Sequence, residues 1–110
     1  MEQIEIFNPI GAGGEIDVTA TAGTTTLRTG PAENAAQIIR LVNHGTVKCR
    51  VRFARETSPG VWTQDAVTDT TGFVVMPGVV ESFDVGGAPS LSVKTESGTT
   101  DLNYQLGAGA

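Results

Sequence analysis

The sequence predicts an all-β domain, and three observations carry that expectation. Apolar residues recur at every second position in most segments that could be ordered. Those segments are short, rich in Val, Thr and Ile, and cut by Gly, Pro, Asn and Asp. Helix formers are thin, with no long Ala-Glu-Lys run anywhere in the 110 residues. A half-buried strand needs a period of two because successive side chains point to opposite faces of the sheet. Eight to ten short antiparallel strands, with turn signals about every 8–12 residues, specify a β-sandwich or jelly-roll-like fold, one domain over 1–110.

Taken in order, Glu2 to Phe7 alternates around Ile4 and Ile6 and predicts a short strand closed by Asn8-Pro9. Gly11 to Gly14 reads as a flexible loop, so residues 1–14 are expected to form an N-terminal arm and glycine-rich loop. Glu15 to Thr21 alternates again, and Thr24 to Arg28 makes a further strand ended by Thr29-Gly30-Pro31. Pro31 to Ala36 reads as the loop leading into the next element, with a single helical turn as the alternative. Gln37 to Arg55 then predicts a central hairpin, with Asn43 to Thr46 as its tight turn. On the return strand Val47, Cys49, Val51 and Phe53 share one face, and Lys48, Arg50 and Arg52 share the other.

Glu56 to Gly60 reads as the next turn, and Val61 restarts a strand. Phe73 to Met76 is apolar throughout, Pro77-Gly78 turns the chain, and Val79 to Val85 alternates with Glu81 breaking the pattern. Leu91 and Val93 mark another strand; Leu102, Tyr104 and Leu106 mark the last. Residues 107–110 are small and are expected to form a loose tail. The expected core takes one residue in two from these runs, including Ile39, Leu41, Val47, Cys49, Val51, Val74, Leu91 and Leu102.

Composition narrows the function classes. A net charge of −5 and a pI near 4.6 argue against nucleic-acid binding. The single cysteine allows no intrachain disulfide, and its place on an apolar face marks it as a small buried hydrophobe. Neither a membrane-spanning run nor a signal peptide is recognisable, so folding in a reducing cytoplasm and no membrane partner are expected.

Chemistry is hard to find. Gly11 to Glu15 lacks the lysine and the helix that a phosphate loop requires. His44 is the only histidine, which leaves no multi-histidine metal site. Asp65, Asp69 and Asp101 match no calcium-loop spacing. No enzyme, metal or cofactor is expected. The positive signal is a basic row: Arg40, Lys48, Arg50, Arg52 and Arg55 are five of the seven cations. On one strand face, Lys48, Arg50 and Arg52 would stand about 7 Å apart, a ladder suited to carboxylates or phosphates, facing either acidic residues of neighbouring strands or an acidic partner surface or second subunit. Trp62 is the other candidate contact residue, as core filler or as an interface anchor.

Four segments carry a resemblance: IRLVNHGT at Ile39 to Thr46, Arg52-Phe53, MPGVVESFDV at Met76 to Val85, and SGTTDLNYQLGAGA at Ser97 to Ala110. In these the chain, from about Thr19 onward, resembles small tailed-bacteriophage virion structural proteins. The resemblance implies an auxiliary capsid decoration or cement protein. It would be assembled in the host cytoplasm, carried on the virion, and bound to the major capsid protein and to itself as a homotrimer or homodimer. The alternative is a tail- or fibre-associated module recognising a carbohydrate or a host protein, although one Trp and one Tyr make a poor glycan platform.

Replacing Val51 or Phe53 by Ala is expected to lower stability by about 2–5 kcal/mol through the cavity left in the central strand. Denaturant titration of each variant against the parent measures it.

Overall fold

Ten strands in chain order make up the computed structural model, which describes residues 8–28 and 37–108. They are β1 (Asn8–Val18), β2 (Gly23–Thr26), β3 (Ile38–Asn43), β4 (Cys49–Phe53), β5 (Arg55–Ser58), β6 (Val61–Thr63), β7 (Phe73–Val75), β8 (Val80–Asp84), β9 (Ser90–Thr95) and β10 (Thr100–Ala108). The expected Glu2–Phe7 strand and Pro31–Ala36 loop lie outside the described residues.

Eight strands form two four-stranded sheets, ordered β1-β10-β3-β8 and β2-β9-β4-β7, and β5-β6 form a small separate hairpin. Every pairing is antiparallel. The pairs nest: β1 with β10, β2 with β9, β3 with β8, β4 with β7. The chain is therefore one long doubled ribbon rolled into a sandwich, the double-Greek-key pattern of a jelly roll. The all-β single domain expected from periodicity is what forms.

Alternation explains the faces. In β3, Ile39 and Leu41 are fully buried while Arg40 is exposed; in β4, Cys49 and Val51 are buried with Arg50 and Arg52 turned outward. The inward faces of the two sheets meet in one core with Leu91, Val93, Leu102 and Leu106. Burial pushes the Cys49 thiol up to about 11, as expected for a sulfhydryl held in apolar surroundings.

Four expectations are corrected. The central hairpin does not exist: β3 and β4 belong to different sheets, and residues 44–48 cross between them. The glycine-rich loop is strand, since β1 runs through Gly11 to Gly14 with a register shift between Pro9 and Gly13. Gly107 and Ala108, expected in the tail, pair with β1 inside β10, and Gly107 is buried. Finally, Val75 rather than Val74 enters the core, because an unbroken apolar run offers no alternation from which to choose a face.

The crossover turns on Asn43, the last residue of β3 and fully buried. Its Nδ2 donates to Val47 O and Val75 O, each at 3.0 Å, and its Oδ1 accepts from Gly45 N at 3.0 Å and Thr100 Oγ1 at 2.6 Å. One side chain thus ties β3, the crossover, β7 and β10. Gly45 is required here by crowding: a Cβ added to it would lie 1.7 Å from Thr100 Oγ1 and 2.8 Å from Thr100 Cα.

Asn43→Ala strands two carbonyls and two donors in the interior, at about 1–3 kcal/mol for each group left without a partner. We expect a loss of at least about 3 kcal/mol, and a comparable loss for Gly45→Ala, both read from chemical unfolding midpoints.

Candidate protein-contact surface

The basic row of the sequence divides between the two sides of the sandwich. Arg40 stands on the outer face of the first sheet, opposite Gln105 and Ser82. Arg50 and Arg52 stand on the outer face of the second, opposite Lys94 and Ser92 of β9. Lys48 precedes β4 and Arg55 opens β5, so the five cations make no single patch.

Most cations of the second sheet already have partners. The segment following β6 folds back over this face: Gln64 Nε2 donates to Arg52 O at 3.0 Å, Ser90 Oγ donates to Gln64 Oε1 at 2.8 Å, and Val67 N donates to Ser92 Oγ at 3.0 Å. Val67 is only 2% exposed and fastens the segment down. The segment thereby delivers two carboxylates. Asp65 accepts from Arg55 Nε at 2.7 Å and lies 3.4 Å from Arg52, and Asp69 pairs with Lys94. Lys48 pairs with Glu96 at 3.4 Å. The hydrogen bond from Arg55 holds the Asp65 carboxyl below its ordinary range, helped by the charges of Arg55 and Arg52.

Arg50 differs. Its Nε is buried without a partner, and no ion pair among the described residues includes it. It lies between Lys94 on β9 and the partly exposed Val74 on β7. With the carboxylates of this face already committed to Lys94, Arg52 and Arg55, this guanidinium is well disposed to an acidic group from outside.

Trp62 is half-buried on β6 and packs against the core, where it closes the β5-β6 hairpin onto the sandwich. Its Nε1 is buried without a partner. His44 lies exposed in the crossover. Asp65 and Asp69 are on the covering segment, whereas Asp101 faces Asp17 across the first sheet, so the three aspartates do not gather. Among the described residues no group of three or more His, Cys, Asp or Glu could hold a metal ion. A groove of about 360 Å³ opens where the crossover meets the β7-β8 and β9-β10 turns, lined in part by Val47, Met76, Pro77 and the Lys48–Glu96 pair.

What sequence reasoning missed is an apolar strip. Phe73 (53% exposed), Val74 (36%), Met76 (51%), Val79 (37%) and Val80 (57%) follow the chain along β7, the turn and the start of β8, from the outer face of the second sheet at Val74 round the edge to that of the first at Val80. Both strands are sheet edges, and the short link between them brings the edges to one side of the sandwich. Phe53, Phe73 and Phe83 close the core beneath, with ring centroids 4.9–6.1 Å apart. The runs Phe73–Met76 and Val79-Val80 were legible as apolar, but apolar runs are ordinarily assigned to the interior. No protein-family model matches the chain, and no curated protein matches it either.

Because Asp65 titrates lower when folded than when unfolded, its stabilising effect is present above the ordinary carboxylate range and is lost as pH falls through the folded value. Asp65→Asn should therefore lower the melting temperature at pH 7 but converge with the parent in acid. Paired thermal scans from pH 7 to pH 2 test this.

Proposed function

We propose that this protein is a non-enzymatic structural component of a tailed-phage virion, an auxiliary decoration or cement protein that binds the major capsid protein at capsomer joints. The observation that carries the reading is the apolar strip of Phe73, Val74, Met76, Val79 and Val80. Large apolar side chains left facing water around a sheet edge mark a place that another protein covers. Jelly rolls recur as viral shell domains, though a fold by itself assigns no function. The phage assignment is supported by the resemblance at Ile39–Thr46, Met76–Val85 and Ser97–Ala110.

Two contact chemistries adjoin on this surface. The strip supplies desolvation, which favours association without direction. Arg50, directly across from Val74, supplies a guanidinium that can grip a carboxylate with two parallel hydrogen bonds. Arg52 and Arg55 are committed to Asp65, so they hold the covering segment in place before they could reach a partner. Self-association into a small oligomer belongs to the same reading, since shell-binding proteins meet symmetric arrays of identical sites.

Mass spectrometry of intact particles should find this chain in a fixed ratio to the major capsid protein; a handful of copies per particle would instead favour a tail or fibre module. Arg50→Glu should leave the melting profile nearly unchanged and weaken particle binding by about tenfold at low salt. Raising the salt should weaken the parent's binding in the same direction. Undiminished occupancy by the variant would remove Arg50 from the contact.

A further inference from the structure

We propose that a second copy of this chain covers the β7-β8 side, with β8 pairing antiparallel to β8 of the partner copy about a two-fold axis at Ser82. The inference rests on reading the β7-β8 side as a protein-contact surface, and it names the occupant of the β8 edge, leaving the outward Val74 and Arg50 to the capsid contact.

Four observations converge on it. Among the described residues β8 pairs with no strand but β3, and β7 with none but β4, so each leaves one flank without a strand partner. The two flanks lie on the same side, as the 4.9 Å contact between Phe73 and Phe83 requires. The opposite side also has two edges, β1 and β2, yet it presents Glu15, Asp17, Thr24 and Thr26 to solvent. Among the described residues, exposed large apolar side chains accompany the strand edges on the β7-β8 side and not on the other.

Register selects the axis. Centred on Ser82, all five residues of β8 find partners: Val80 meets Asp84 of the partner copy, Glu81 meets Phe83, and Ser82 meets Ser82. No charge faces its like. A shift of one residue to Glu81 would set carboxylate against carboxylate, which is destabilising for directly opposed positions. Glu81 points inward on β8, on the same face as Phe83. An inward edge charge of this kind discourages indiscriminate strand addition, and the Ser82 register avoids opposing it to its own copy. The same two-fold continues the first sheet across both copies and brings the β7 edges to the same side, while Val74 and Arg50 keep to the outer face of the second sheet.

Cysteine cross-linking of the free protein tests this, with Ser82→Cys, Val80→Cys and Thr24→Cys compared under mild oxidation. All three positions are exposed, and the native Cys49 is buried. Directly opposed strand residues hold their Cβ atoms about 4.5–5.5 Å apart, close enough for a disulfide with slight adjustment. Two copies of residue 80 would stand about 13 Å apart at this axis, too far to bridge. Ser82→Cys should form disulfide dimers at least tenfold faster than Val80→Cys, with Thr24→Cys at background. Sedimentation of the unsubstituted chain should show dimers that persist or tighten as salt rises, because each copy carries −5.

A monomeric parent at the highest attainable concentration, or Ser82→Cys linking no faster than Thr24→Cys, overturns the proposal. Faster linking by Val80→Cys overturns the Ser82 axis. Particle docking through Arg50 weakens with salt whereas the dimer does not, so failure of the dimer is separable from failure of the decoration reading.

Discussion

The structure depends on one buried amide. Asn43 sits where the chain leaves the first sheet for the second, and its side chain closes polar groups from four parts of the fold. A crossover between packed sheets necessarily carries backbone groups into an apolar interior, and each needs a partner. Asn43 and Thr100 are both buried, and neighbouring strands are occupied with their own ladders. Asn suits the position because it has both an acceptor and two donors on one short arm. The backbone of Asn43 adds two more ties, from its N to Val79 O and from Gly78 N to its O. Gly45 then lets the crossover pass against Thr100, a packing that no side chain at that position would permit.

That corner also determines where the contact surface lies. By fixing Val75 and the β7-β8 turn to the end of β3, Asn43 places two edge strands on one side of the sandwich. Phe53, Phe73 and Phe83 then cap the core at its open side, and Phe73 remains half in water. Structural stability and the candidate contact surface are thus linked through the same few residues.

The cations illustrate how a linear charge pattern loses its meaning in three dimensions. Arg40 and Arg50 lie ten positions apart in a run that reads as a ladder, yet they face opposite sides of the molecule. Lys48, Arg52, Arg55 and Lys94 are neutralised within the chain, mostly by carboxylates that arrive from the segment after β6. Exposed pairs of this kind contribute little each, so their main effect is to hold that segment across the second sheet. Arg50 stands apart because neither Asp65 nor Asp69 reaches it.

The sequence by itself determined that the chain is all-β and, for most strands, which residues face inward. Ile39, Leu41, Cys49, Val51, Leu91, Val93 and Leu102 are buried as their alternation demands, because strand period is a local property of the backbone. Only the tertiary structure decided which strands are neighbours. Asn43 to Thr46 has the chemistry of a tight turn, but a turn signal does not say whether the chain returns beside itself or crosses to another sheet. Gly11 to Gly14 and Gly107-Ala108 became strand because β1 pairs with β10, joining Asn8 to Ala108 and Gly14 to Tyr104, contacts between distant parts of the chain that no local pattern encodes. The apolar strip was hidden for the same reason. Hydrophobicity marks Phe73, Val74 and Val80 as residues that favour burial, but Val74 and Val80 fall on outward faces and Phe73 at an edge, and both face and strand order are set in the assembled sheets.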